Sequence, residues 1–165
     1  MKTTDGPMKR SIHILVVDDE PLMAQPLVDA LAAEGYEIDV AINGQRALEK
    51  IKDRAYDLIL SDLRMPELDG VGLCQELERW QPDLLRRMIF ITGATEHPDY
   101  QSFLAQTSLP VLAKPLPFSL SAVYALTRQV LSTCRPDTWR RAPVSGTRIV
   151  RRAGDLEMAL PASPP

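Results

Sequence analysis

Cysteine is nearly absent: Cys74 and Cys134 are the only two in 165 residues. They show neither a disulfide framework nor the close spacing of a metal site, so reduced thiols in a cytoplasmic protein are expected. No stretch reaches the roughly 18 apolar residues that a membrane helix needs. The first ten residues are polar and lack the apolar segment of a secretory leader, so they read as a flexible extension. No sequence repeats, and no glycine-rich or Ser/Thr-rich phosphate loop follows the first apolar run. That turn is acidic instead, which would repel an anionic cofactor. Positive charge is outnumbered before residue 134. The whole chain carries −3, and six arginines against three acids give the last 32 residues +3, leaving −6 for residues 1–133. An acidic domain of that kind is a poor binder of nucleic acid.

The length suits one domain plus something short. Over residues 11–133, apolar runs alternate with helix-like patterns, which predicts an α/β fold with a parallel sheet and helices on both faces. Strands are expected at 12–17, 37–41, 58–62, 88–92 and 111–113. Five helices are expected, near 21–34, 45–53, 71–80 and 99–107, and from Ser119 as N-cap onward. The first, third and fourth strands are apolar at nearly every position, as strands covered on both sides are. Pro26 should delay the start of the first helix or kink it. Beyond Cys134 the pattern stops. Pro136, Pro143, Pro161, Pro164 and Pro165 interrupt a segment of Ser, Gly and Arg. It is shorter than the roughly 40 residues an independent fold needs. Residues 134–165 therefore read as a mostly disordered, basic, proline-rich tail.

The chemistry lies where strands end. Asp18 and Asp19 close the first apolar run, and Asp62 closes the third. Open α/β sheets build their sites at that carboxyl edge. Three acids gathered there repel one another unless a positive charge sits among them. A hard divalent cation fits that need, and an all-oxygen site suits Mg²⁺. Lys114, after the short run Val111-Leu112-Ala113 and before Pro115, is a second source of positive charge. Thr92 ends the fourth strand.

These residues fall into five motifs in fixed order: Val17-Asp18-Asp19-Glu20-Pro21, Ser61-Asp62-Leu63-Arg64-Met65-Pro66, Asp69-Gly70, Ile91-Thr92-Gly93 and Ala113-Lys114-Pro115. With them the chain resembles the receiver domain of two-component response regulators over residues 11–133. The resemblance implies a flavodoxin-like doubly wound sheet of order 2-1-3-4-5. It implies that Asp62 is the phospho-acceptor and that Thr92 and Lys114 contact the phosphoryl group. Mg²⁺ would be held by Asp18, Asp19, Asp62 and the backbone carbonyl of Arg64. It further implies a signalling domain that catalyses only its own phosphorylation and dephosphorylation. Its partners would be a sensor histidine kinase or a histidine phosphotransfer protein, and a downstream protein. No DNA-binding domain and no membrane association are expected. A phosphorylation-dependent dimer is within what the resemblance allows.

Taken singly, each residue has an ordinary role: Asp18 and Asp19 as helix caps, Asp62 as a turn opener, Thr92 as a strand end, Lys114 as a solvated lysine. Gly70 serves backbone geometry, and His13 and His97 are structural or exposed. It is the joint placement at four strand ends that favours the acceptor reading. The rival readings are a metal-dependent phosphotransferase or phosphatase using an Asp nucleophile, a flavodoxin-like cofactor binder, and a constitutive interaction module. One departure stands out. Where the family often carries Tyr or Phe, three residues before the lysine, this chain has Val111.

Overall fold

Five short segments pair side by side into one parallel sheet: β1 (His13–Val17), β2 (Glu37–Ala41), β3 (Leu58–Ser61), β4 (Met88–Thr92) and β5 (Val111–Ala113). The order is β2-β1-β3-β4-β5. The three central strands are the ones apolar at nearly every position, as strands covered by helices on both faces are. The structure, a computed structural model, describes residues 10–115 and 120–133. The expected Ser119 cap, nearly all of the 1–10 extension and the whole 134–165 tail lie outside the described residues.

Alternate strand positions feed two cores. On one face Ile14, Val16, Leu58, Leu60, Ile89 and Ile91 meet α1 (Pro21–Ala33) through Ala24, Leu27 and Leu31. The last of the described helices, α6 (Ser121–Thr133), adds Val123 and Val130 to that face. On the other, Leu15, Val17, Ile59, Met88 and Phe90 pack with α2 (Gly44–Asp53) and α3 (Gly70–Trp80). Each fully buried leucine, such as Leu31, Leu73 or Leu77, contributes about 1.5–3 kcal/mol.

Two further helices complete that second face, α4 (Pro82–Leu85) and α5 (Pro98–Gln106). The described helices thus number six, where five were expected. Pro82, two residues beyond the third helix, opens a single new turn that buries Leu84, because proline at a first helical position loses no hydrogen bond. Pro21 and Pro98 start their helices in the same way. Helix α2 begins at Gly44, one residue earlier than expected, because the Asn43 side chain accepts the Arg46 N–H at 2.8 Å. The delayed start expected from Pro26 is not seen: α1 begins at Pro21 and continues through it. Leu22, whose carbonyl loses its donor, is exposed to water.

The sheet register aligns the strand ends that carry the acids. Val17 pairs with Ala41 on one side and with Ser61 on the other, and Thr92 pairs with Ala113. Ladder bonds run one residue further. Asp18 N–H donates to Ala41 O at 3.0 Å, Asp62 N–H to Val17 O at 2.8 Å, and Lys114 N–H to Thr92 O at 2.9 Å. The backbone therefore fixes Asp18, Asp62 and Lys114 at one edge before any side chain acts.

At the opposite edge buried charge is satisfied separately. Asp57 accepts the His13 N–H at 2.9 Å and pairs with Arg10, and Arg87 donates to the Asp57 and Tyr56 carbonyls at 3.3 and 3.4 Å. His13 sits between Arg54 and Glu37, a structural role as expected.

Candidate functional site

Lys114 bridges two of the three acids. Its ammonium donates to Asp18 Oδ2 at 2.7 Å and to Asp62 Oδ2 at 2.9 Å. Burial works against this charge, but the hydrogen bonds and charges of Asp18 and Asp62 outweigh it, and the lysine pKa lies above its ordinary value. The ammonium is thus firmly held at neutral pH. The peptide bond between Lys114 and Pro115 is cis.

The remaining carboxylate oxygens are held by backbone. Asp18 Oδ1 accepts the Glu20 N–H at 2.9 Å. Asp62 Oδ1 accepts the Leu63 N–H at 2.6 Å and the Arg64 N–H at 3.3 Å. Asp18 is buried, Asp62 half-buried and Asp19 exposed, and one oxygen of each lies within 4.8 Å of the others. Lys114 answers only two of these three acids. Three clustered carboxylates with one open to solvent make an oxygen donor set that fits Mg²⁺. The fit is electrostatic as well, since another cation would relieve the remaining repulsion.

The turn after β3 begins at Asp62, and its shape depends on close packing. Gly70 N–H donates to Leu63 O at 2.8 Å. A Cβ on Gly70 would lie 2.4 Å from Asp62 O, 2.9 Å from Phe90 Cε1 and 3.0 Å from Leu63 Cα. The glycine was expected to serve backbone geometry, and what it supplies is room. Glu67 takes a left-handed φ of 65°, which costs on the order of 1 kcal/mol. One residue later, Leu68 O accepts the Gly44 N–H at 2.8 Å, tying the turn to α2.

Asp19, Asp62 and Lys114 open into a cleft of about 400 Å³. Arg64 and Glu20 line it as well. Its far wall comes from the loop after β4, through Gly93, Ala94, Glu96 and His97. Thr92 stands behind that wall, with no exposed surface, and its hydroxyl oxygen accepts the Ala94 N–H at 3.1 Å. The sequence reading therefore brought together Asp18, Asp19, Asp62, Arg64, Thr92 and Lys114 at one edge. It missed Glu20, Glu96 and His97 as cleft residues. Their signal was available: Glu96 and His97 follow a strand end at the same edge. His97, read as structural or exposed, also accepts the Asp99 N–H and caps α5.

Comparison with known proteins gives a consistent picture. The family model for the response regulator receiver domain matches residues 14–122. The transcriptional regulatory protein GlrR of Escherichia coli is 32% identical over 143 residues, covering 85% of this chain. The chain spans 31% of that relative's length. Response regulator TrrA of Thermotoga maritima, solved with Mg²⁺ and BeF, is 32% identical, with a TM-score of 0.62 over 72% of this chain and 98% of that one. The receiver domain of sensor histidine kinase PA1611 of Pseudomonas aeruginosa, solved with magnesium in its active-site cleft, is 26% identical. Its TM-score is 0.62, over 74% of this chain and 99% of that one. With its sheet order, its strand-edge acids and two thirds of its length matched by the family model, the chain belongs to the response regulator receiver domain family.

Proposed function

We propose that Asp62 is the residue of this receiver that takes the phosphoryl group, from a histidine of a sensor kinase or a phosphotransfer protein. The observation that carries the reading is the Lys114 ammonium, held between Asp18 and Asp62 beside an open cleft. In the transfer an Asp62 carboxylate oxygen attacks phosphorus and the P–N bond to the donor imidazole breaks. The nitrogen keeps the electron pair, and the product is an acyl phosphate. Asp18, Asp19, Asp62 and the Arg64 carbonyl would hold Mg²⁺. Bound there, the ion would neutralise the repulsion between carboxylates and phosphoryl oxygens.

The chain's own groups do the rest. The Leu63 and Arg64 amides fix one Asp62 oxygen, so the carboxylate cannot turn away from the cleft. Lys114 is close enough to exchange its carboxylate bonds for a phosphoryl oxygen. Thr92 supplies a hydroxyl proton to another phosphoryl oxygen. Phosphorylation then biases a surface read by a downstream protein. A cytoplasmic setting fits this reading. Among the described residues, no helix is long and apolar enough to cross a membrane.

Incubation with acetyl phosphate and Mg²⁺ should add one phosphoryl group to the intact mass, and chelation with EDTA should prevent it. Asp19→Asn should weaken Mg²⁺ binding about tenfold or more by calorimetry, with little change in melting temperature, because Asp19 is an exposed ligand and not a packing group. Metal-independent labelling, or unchanged affinity in Asp19→Asn, would sink the metal assignment.

We also propose that residues 11–133 are the folding unit and that 134–165 form a separable basic tail. A chain ending at Thr133 should keep its melting temperature to within roughly 2 °C and label at the full rate. Loss of folding on truncation would move the domain boundary outward.

A further inference from the structure

Helix α5 is fastened to the rest of the domain at few points. Among its residues only Tyr100 is buried. The Tyr100 hydroxyl donates to Asp69 Oδ2 at 3.3 Å. The other oxygen of Asp69 accepts the Gly72 N–H at 2.8 Å and caps α3. Asp69 ends the same turn that begins at Asp62. On its other side, the Tyr100 ring faces His97, with centroids 5.6 Å apart and planes tilted by 49°. His97 belongs to the cleft wall. One turn along α5, Phe103 meets Phe90 edge-on at 5.5 Å. Phe90 in turn packs against Gly70 at the end of the acceptor turn.

We propose that Tyr100 is a positioning residue that couples occupancy of the Asp62 cleft to the seating of α5 through its hydrogen bond to Asp69. The proposal rests on the reading of Asp62 as acceptor. Two loops must act together at this edge. The 62–69 turn holds the acceptor, and the 93–97 loop holds the amide that Thr92 accepts. When Thr92 turns its hydroxyl to a phosphoryl oxygen, the Ala94 N–H loses its acceptor and the 93–97 loop must adjust. Tyr100 follows that loop directly, its own N–H donating to His97 O at 3.0 Å. Its hydroxyl grips the other loop. Movement of either loop therefore reaches the other through one side chain. Burial, then the charge and hydrogen bond of Asp69, raise the Tyr100 pKa, so the hydroxyl keeps the proton it donates. The nearby Arg64 charge, on the cleft side, opposes this. A helix with so few buried contacts is one whose position a single bond can bias. By linkage, whatever the bond contributes to cleft affinity is returned to α5.

The test compares wild type with Tyr100→Phe, which keeps the ring and removes the hydroxyl. Acetyl phosphate labelling and backbone amide exchange across α5 are measured on both, with Mg²⁺ affinity by calorimetry. Wild-type α5 should change its exchange on phosphorylation. In Tyr100→Phe the protein should still label at Asp62, while the α5 response falls by at least half and Mg²⁺ affinity shifts about threefold. A full α5 response and unchanged Mg²⁺ affinity in Tyr100→Phe would overturn the proposal. Asp69→Ser keeps a hydroxyl that caps α3 but is too short to reach the Tyr100 hydroxyl, and serves if Tyr100→Phe does not fold. An intact α5 response there overturns it equally. Failure of wild type to label at all would instead refute the acceptor reading and leave the two ideas distinguishable.

Discussion

Asp62→Asn should reduce phosphorylation by acetyl phosphate from stoichiometric to undetectable, with the fold intact. The amide is neutral, so it neither attacks phosphorus as a carboxylate does nor contributes charge to the Mg²⁺ site. Asp18 and Asp19 lie within 4.8 Å but are poor substitutes. Asp18 is buried and, unlike Asp62, does not line the cleft. Asp19 is exposed and lacks the pair of backbone donors that aims Asp62. Stability should change by no more than about 1 kcal/mol, because two effects oppose each other. The variant loses one ion pair of Lys114, yet Asp18 still holds the ammonium and the repulsion among the acids falls. Intact mass and a thermal melt on the same sample check both halves. Labelling at the wild-type rate would remove Asp62 from the role given to it.

Gly70→Ala should lower stability by about 3 kcal/mol, roughly 10 °C in melting temperature for a domain of this size. The added methyl meets Asp62 O at 2.4 Å and Leu63 Cα at 3.0 Å, both backbone, and Phe90 Cε1 at 2.9 Å. No flexible side-chain tip is there to give way. Either α3 retreats from the sheet, opening the core around Leu73 and Phe90, or the end of β3 moves and carries Asp62 with it. The second route also removes the alignment of the carboxylate with Lys114, so labelling should slow even below the melting temperature. A loss under 1 kcal/mol with normal labelling would show that the turn relaxes freely and that Gly70 is not what positions it.

The strand-end acids were legible because a buried apolar run that closes in bare charge is unusual, and strand ends at one edge converge without any further information. The central strands were legible for a similar reason: His13–Val17, Leu58–Ser61 and Met88–Thr92 lack the alternation of half-exposed strands. What stayed hidden depends on contacts distant in sequence or on ambiguous punctuation. Pro82 marks either the end of one helix or the first position of another, and only the buried Leu84 distinguishes them. The Arg10, Asp57 and Arg87 cluster joins residues 30 or more positions apart, and nothing in local spacing announces it. His97 was expected only to be structural or exposed, because nothing in its local sequence shows what it packs against. The structure gives it a cap on α5, a face of the cleft and a ring against Tyr100. Val111 at the position of the family aromatic was visible from the start. The Tyr100 to Asp69 bond, which crosses from α5 to the acceptor turn, was not.

The central claim is that one carboxylate, Asp62, forms the acyl phosphate. Borohydride reduces an aspartyl phosphate to homoserine and leaves free carboxylates and phosphohistidine without that mark. Phosphorylated wild-type protein, reduced in this way and digested, should yield one modified peptide with homoserine at position 62. It should yield none when Mg²⁺ is withheld. Homoserine at position 18 or 19, or a phosphorylated protein that yields no homoserine, would contradict the account.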